Sequence, residues 1–354
     1  MFNFDFDIED DGVEPLQAEE SLPQVIQSEP FAEIPLSQLV RLLVASILPS
    51  VIYHVNAHSS SHFLPSYHTL PLAIPLASSR KNVTLARRDL FDARFQLISE
   101  GRGDEPPAET PAANSALGFL DAPSDLVPGV YEGGLKTWEC SLDLVGCGTG
   151  IPSVYLLSCL FSGDSNVNTH VHLQDYNASV LELITFPNII LAWYMSPSSA
   201  EYRAVDPDDV ECPPADPTVS GELAITPALK SAFTASIAKL GISLAFFSGS
   251  WESLTTHLQS GEAKHDIVLT SETIYRAEAL PALIQLLHQA CADSEPMCLV
   301  AAKVLYFGVG GGVSEFVRTL QSNSMVDKGC SGRAESVWER KVGVGRKIMR
   351  IDWG

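Results

Sequence analysis

An α/β fold, built as a seven-stranded and mostly parallel sheet with helices on both faces and an N-terminal extension, is predicted by three features of the chain. Short apolar runs at residues 171–174, 243–247, 266–270 and 297–304 are separated by longer segments, the rhythm of parallel strands joined by crossover helices. Two more runs, 335–342 and 346–353, lie close together across Gly343 and Gly345, as in an antiparallel hairpin closing one edge. The glycine-rich turn Gly146-Cys147-Gly148-Thr149-Gly150 follows an apolar pair, at the strand-to-helix position where such sheets take a ligand.

Residues 1–35 hold ten Asp or Glu and no Lys or Arg, with Phe2, Phe4 and Phe6 interspersed. Secretory and mitochondrial presequences need positive charge near their start, so this segment is neither, and with little to bury it is expected to be a disordered tail. It is either simply solvated or recruits a basic partner. Residues 36–55 are apolar, but Arg41 and Pro49 interrupt them well short of the roughly 20 residues that span a bilayer. A buried amphipathic helix ending before Pro49, and no membrane segment, is the expectation. His54, His58, His62 and His68 lack a regular ligand spacing and read as loop residues, so no metal site is expected. Residues 85–99 suit strand or helix, and 101–124 form a connector rich in Pro, Ala and Gly. The division is therefore a tail at 1–35, an extension and linker at 36–120, and the main domain at 121–354.

The chain has 354 residues, 45% of them apolar, and a net charge of −21. That charge argues against direct nucleic-acid binding, which draws its affinity from clustered Lys and Arg. A basic protein partner fits better, although acidity also serves solubility alone. Seven cysteines without paired metal spacing do not resemble a secreted disulfide frame, which points to a reducing compartment, cytoplasm or nucleus. Cys140 and Cys147 are read as packing residues, not nucleophiles.

Ile151 stands where a dinucleotide fingerprint wants its third glycine, so the turn favours S-adenosylmethionine over a nicotinamide or flavin. Gly146 and Gly148 would let the loop lie against the methionine part of that cofactor, and a helix starting near Ile151 would offer its first amides to the carboxylate. Asp175, after the run 171–174, either accepts from the ribose hydroxyls or merely forms a turn. Trp251 either covers the adenine or packs as an ordinary rim or core tryptophan. The Gly-rich block 308–312 lacks the Lys-Ser/Thr ending of a phosphate loop and reads as a turn at a substrate entrance. Residues 197–222, with seven Asp or Glu against Arg203, read as a variable acidic loop.

Several blocks agree on one family. Val130-Tyr131-Glu132-Gly133-Gly134-Leu135-Lys136-Thr137-Trp138-Glu139-Cys140-Ser141, Gln174-Asp175-Tyr176-Asn177, Phe246-Phe247-Ser248-Gly249-Ser250-Trp251, Leu269-Thr270-Ser271-Glu272-Thr273-Ile274-Tyr275 and the block from Lys303 to Val313 together resemble the protein-histidine methyltransferase family. The resemblance implies a seven-strand, S-adenosylmethionine-dependent enzyme acting on a histidine of a large-subunit ribosomal protein. It also implies cofactor contacts at Thr137, Trp138, Glu139, Cys140, Ser141, Gln174, Asp175, Tyr176, Gly249, Ser250, Trp251 and Ser271. Ser250 stands where an acid is often found in that family.

Methyl transfer to an imidazole is a direct displacement, so the enzyme must align a neutral ring nitrogen and exclude water. Glu272 is the candidate carboxylate to orient the ring through its other N–H and stabilise the developing charge; the alternative is a structural carboxylate bound to loop amides. Tyr275 and Tyr306 either wall the target pocket or pack in the core. One departure stands out. The family places about twenty residues between the Trp-Glu-Cys helix and the glycine turn, enough to end a helix and build a strand, whereas Ser141-Leu142-Asp143-Leu144-Val145 is all that is present here. The family's acid stands two residues before the first glycine, where this chain has Leu144; Asp143 is one residue further back, on the opposite face if the segment were a strand. An internal deletion is the expectation. It keeps open a protein with a defective cofactor site that binds its basic target, beside the alternative of lysine methylation by the same superfamily.

Overall fold

The computed structural model describes residues 31–42, 65–73, 82–90, 126–127, 131–132, 139–144, 150–163, 168–205, 212–261, 264–306 and 310–353, with 93, 96, 135, 137 and 166. In chain order the elements are β1 (Ala32–Ile34), α1 (Leu36–Leu42), β2 (Ser66–Ala73), β3 (Asn82–Arg88), β4 (Leu126–Val127), β5 (Tyr131–Glu132), α2 (Glu139–Leu144), α3 (Ile151–Phe161) and β6 (Thr169–Asp175). They continue with α4 (Ala178–Tyr194), β7 (Gly221–Glu222), α5 (Pro227–Leu240), β8 (Ile242–Ser248), α6 (Trp251–Gln259), β9 (Ile267–Ser271) and α7 (Leu280–Ala290). The chain ends with β10 (Met297–Lys303), α8 (Val313–Leu320), α9 (Asn323–Asp327), β11 (Gly332–Arg340) and β12 (Arg346–Trp353).

Local chemistry sets the helix ends. Thr226 caps α5, its hydroxyl accepting from the Leu229 amide at 3.0 Å; Pro227 supplies a preset φ in the first turn, and Gly241 at φ 67 stops the helix. Leu229, Phe233, Ile237 and Leu240 then fall on one face and are buried. That face meets the aromatic centre of the molecule, where Phe233 lies edge-on to Trp193 (5.6 Å) and Phe186 edge-on to Phe246 (5.7 Å).

The strand runs fall where the apolar pattern places them and the fold is mixed α/β as expected, but among the described residues the strands are not joined into one seven-stranded, mostly parallel sheet. Two sheets replace it, ordered β1-β8-β6 and β11-β12-β10-β9, with β3-β2-β7 and β4-β5 as smaller ones. β6 and β8 are parallel, as are β9 and β10; β1–β8, β10–β12 and β11–β12 are antiparallel. A doubly wound sheet runs 3-2-1-4-5, so the strand before the glycine turn belongs between the second and fourth. Here the second is β6 and the fourth is β9, and no ladder joins them among the described residues.

The physical reason is chain length. Residues 139–144 form α2, which leaves Val145 alone between that helix and the first glycine of the turn. α2 is fastened instead to the face of the four-stranded sheet. Cys140 packs with Leu299, Ala301 and Ile348, and Asp143 pairs with Arg346 of β12 at 2.8 Å, both side chains nearly buried. Their approach has the length of an ion pair without hydrogen-bond alignment. α3, just beyond the turn, belongs to the other side, its Ile151, Val154, Leu157 and Phe161 in the aromatic core. What bridges the two sheets is side-chain packing: Leu254 and Leu258 of α6 cluster with Phe247 of β8 and with Leu286 and Ala290 of α7, and the rings of His172 (β6) and His265 approach to 3.1 Å.

Two parts of the N-terminal third join this architecture. Residues 32–34, inside the segment expected to be a disordered tail, form β1 on the edge of β8, because Ile34 is buried and Phe31 stacks on Phe247 at 6.3 Å. The β2–β3 hairpin, within the expected extension, shares the aromatic core through Tyr67, Leu72, Leu85 and Ala86. Arg88 is buried at its end. Its backbone amide donates to Asn188 Oδ1 (2.8 Å), and its guanidinium donates to Leu183 O and Gln96 Oε1 (2.7 Å each), anchoring β3 to the π-helical turn Leu181–Thr185 of α4. α1 is helical with Leu39 buried, while 43–64 and the boundary near 121 lie outside the described residues. Among the described residues no single helix is long and apolar enough to cross a membrane; one bent pair, Ala178–Tyr194 with Pro197–Ala204, passes on length and composition, and 186–194 of it are buried in the core.

Removing one partner of a buried ion pair strands the other charge. Arg346→Met is therefore expected to destabilise the protein by about 3 kcal/mol, and Asp143→Leu combined with Arg346→Met to recover most of it. Urea unfolding of the three proteins checks this; equal midpoints for wild type and Arg346→Met would show that α2 is held by packing alone.

Candidate active site

The candidate residues gather in two clusters at the carboxyl ends of the parallel strands, one on each side of the broken row. The first stands on β6 and β8. Asp175 pairs in register with Ser248, so the loops that follow the two strands leave side by side. They are knitted together: Gln174 Nε2 donates to Gly249 O at 2.9 Å, and the Gly249 amide donates to Tyr176 O at 3.0 Å. Asp175 Oδ1 accepts from the Asn177 amide at 2.9 Å, so the aspartate shapes its own turn, as an acid at a strand end commonly does. Ser250 caps α6 by accepting from the Ser253 amide at 3.3 Å. Trp251 opens that helix half-buried and touches the clusters of both sheets.

Gly150, last of the glycine turn, stands at φ 71 before α3, whose Val154 amide donates to Gly150 O at 2.7 Å. A Cβ there would lie 2.8 Å from Thr185 Cγ2, so the π-helical turn of α4 and the start of α3 meet only across a glycine. The helix start near Ile151 agrees with the sequence reading.

The second cluster joins α2 to β9 and β10. The Cys140 amide donates to Glu272 Oε1 at 3.3 Å, and the hydroxyls of Ser141 and Ser271 lie 3.4 Å apart. Tyr306 donates its hydroxyl to Glu272 Oε2 at 2.7 Å, and Lys303 Nζ stands 3.9 Å from Oε1. Burial, then Glu272, holds the Tyr306 hydroxyl well above its ordinary range, so it stays a donor. Burial, again with Glu272, also pushes the Cys140 thiol up, which disqualifies it as a nucleophile. Tyr275 meets Tyr306 edge-on at 6.3 Å, and the Gly-rich loop is stitched beneath them by the Gly311 amide donating to Tyr275 O at 2.9 Å.

Gln174, Asp175, Tyr176, Gly249, Ser250 and Trp251 are thus brought together, and so are Cys140, Ser141, Ser271 and Glu272. Thr137 Oγ1 accepts from Arg87 Nη1 of β3 at 2.8 Å. Trp138, Gly146 and Gly148 lie outside the described residues, and of Glu139 only the backbone is described. Sequence reasoning missed Lys303 as a partner of Glu272 and Arg87 as a partner of Thr137. Lys303 opens one of the family-like blocks, a signal that was present; Arg87 gave none.

No family model matches the chain. It is 35% identical over 262 residues to histidine protein methyltransferase 1 of Saccharomyces cerevisiae, covering 66% of this chain and 67% of that protein. It is 32% identical over 322 residues to histidine protein methyltransferase 1 of Schizosaccharomyces pombe, covering 84% and 85%. The chain belongs to this histidine protein methyltransferase family. A homologue from Bos taurus, 29% identical over 238 residues, covers 61% of this chain and 56% of its own. Family membership requires a methyl donor, and the two clusters are the described parts of the molecule that place polar groups at the carboxyl ends of parallel strands on both sides of the switch point.

Gly150→Ala adds a Cβ where there is no room, in a conformation alanine resists, whereas Gly261 has positive φ with nothing within 4 Å. Gly150→Ala is expected to cost about 1–3 kcal/mol more than Gly261→Ala in denaturant unfolding. Equal losses would mean that the contact with Thr185 relaxes freely.

Proposed function

We propose that this protein-histidine methyltransferase draws its methyl group from S-adenosylmethionine and places it on a histidine side chain of a basic protein, a large-subunit ribosomal protein, in the cytoplasm or nucleus. The observation that carries the proposal is the pair of clusters flanking one switch point. The residues present fit such a cofactor: Asp175 ends the second strand, where a ribose acceptor is needed, Trp251 offers an aromatic face beside Gly249, and Gly150 opens a helix whose first amides suit a carboxylate.

The cofactor supplies an electrophilic methyl group on a sulfonium. The protein's work is alignment and exclusion of water, worth many powers of ten in rate when two reactants are held in attacking geometry. Glu272, with acceptor positions beyond those filled by Tyr306 and Cys140, receives the N–H of the target ring and offsets the charge that develops there. Tyr275, buried beside Tyr306, walls the ring. The net charge of −21 favours a basic target through steering.

One observation favours a second reading. With no strand between β6 and β9 among the described residues, the chain binds its basic target but holds the cofactor poorly. Incubation with S-adenosylmethionine and purified ribosomal proteins, followed by fragmentation mass spectrometry, separates the readings. Methyl on a histidine ring supports the first, methyl on lysine overturns the target class, and target binding without methylation supports the second. Asp175→Ala is expected to weaken cofactor affinity roughly tenfold to a hundredfold through two lost hydrogen bonds, measured by calorimetry; unchanged affinity would leave Asp175 a turn residue only.

A further inference from the structure

We infer that Tyr306 is the positioning residue of the target side, a strut that sets the direction of the Glu272 carboxylate and couples it to α2. The inference rests on the reading of Glu272 as the group that meets the target ring. Glu272 stands at φ 58, a left-handed conformation unusual for a residue with a side chain and one that turns it away from the alternation of β9. Its backbone is pinned there by the amide donating to Ala301 O at 3.0 Å.

The carboxylate is then fixed from two sides. Tyr306 holds Oε2 at 2.7 Å, and the Cys140 amide reaches Oε1 at 3.3 Å with Lys303 Nζ 3.9 Å away. The strut is itself braced. The Lys303 amide donates to the Tyr306 hydroxyl at 3.2 Å, the Lys303 ammonium lies 5.9 Å from the centre of the Tyr306 ring, and Tyr275 meets that ring edge-on at 6.3 Å. A carboxylate has about four acceptor positions, and these contacts leave room for one more donor. The ring nitrogen of the target forms its bond to the methyl carbon as the carbon–sulfur bond breaks, with the electron pair staying on sulfur. Positive charge passes to the imidazole, and its second N–H, held by Glu272, is the proton later released to solvent. A carboxylate free to rotate would not hold that N–H in line; Tyr306 removes the freedom. Because Glu272 also receives the Cys140 amide, the same strut reports on α2, the segment that resembles a cofactor-contacting block.

The test is a double-mutant cycle of Tyr306→Phe and Glu272→Ala, read in steady-state methylation of a histidine target, with Glu272→Gln as the variant that keeps the shape. Tyr306→Phe is expected to lower kcat roughly tenfold to a hundredfold with little change in KM, and to add almost nothing on top of Glu272→Ala, because it acts through that residue. Additive losses would overturn the strut. If Glu272→Ala and Glu272→Gln both leave kcat unchanged, the reading of Glu272 fails. If they lower it while Tyr306→Phe does not, the strut alone fails. Hydrogen exchange gives a readout independent of turnover: Tyr306→Phe is expected to speed exchange of the Cys140 amide while the fold's melting point holds, and unchanged exchange would overturn the coupling.

Discussion

A parallel sheet is a row of strands, each completing the backbone hydrogen bonds of its neighbours, and the central strand completes two neighbours at once. Among the described residues the row breaks between β6 and β9, where that strand belongs. The rest of the architecture responds to the break. α2 seals the face of one half through the Asp143–Arg346 pair, α3 buries its apolar face in the other, and α6 against α7 does the bridging. Side-chain packing stands where a ladder would, and packing between helices specifies a distance less sharply than backbone pairing does.

The site inherits this division. Each cluster is internally tight, with Gln174, Gly249 and Tyr176 tied at one side and Cys140, Glu272 and Tyr306 at the other. Within a cluster, geometry is set by short hydrogen bonds; between clusters it is set by the bridge. The proposed methyl transfer needs both at once, donor on one side and acceptor on the other, which makes it more sensitive to the spacing of the clusters than the stability of either half is.

Much of this was legible in the sequence, for reasons that differ from element to element. β6, β8, β9 and β10 fall within two residues of their apolar runs because each is a short apolar segment in a sheet, and the β11–β12 hairpin follows from its closeness across Gly343 and Gly345. The five-residue junction 141–145 raises the expectation of an internal deletion, and among the described residues no strand stands between β6 and β9. What stayed hidden depends on distant partners. β1 exists only because β8 offers an edge, Arg88 is buried only because α4 supplies a carbonyl and an amide, and Asp143 finds Arg346 from the far end of the chain. Of the site residues, Ser250 and Asp175 read as ligand contacts in sequence and hold their own turns in the fold, two roles that one side chain can combine.

The central claim is that the short junction before the glycine turn, not the composition of the clusters, limits the proposed cofactor site. Calorimetric titration with S-adenosylmethionine of the 354-residue chain, beside the same chain carrying a family-like spacer after Leu144, tests it most directly. At least roughly tenfold tighter binding by the chain with the spacer, about 1.4 kcal/mol or more, is the predicted result. Equal affinities would contradict the account and make the short junction a tolerated variant.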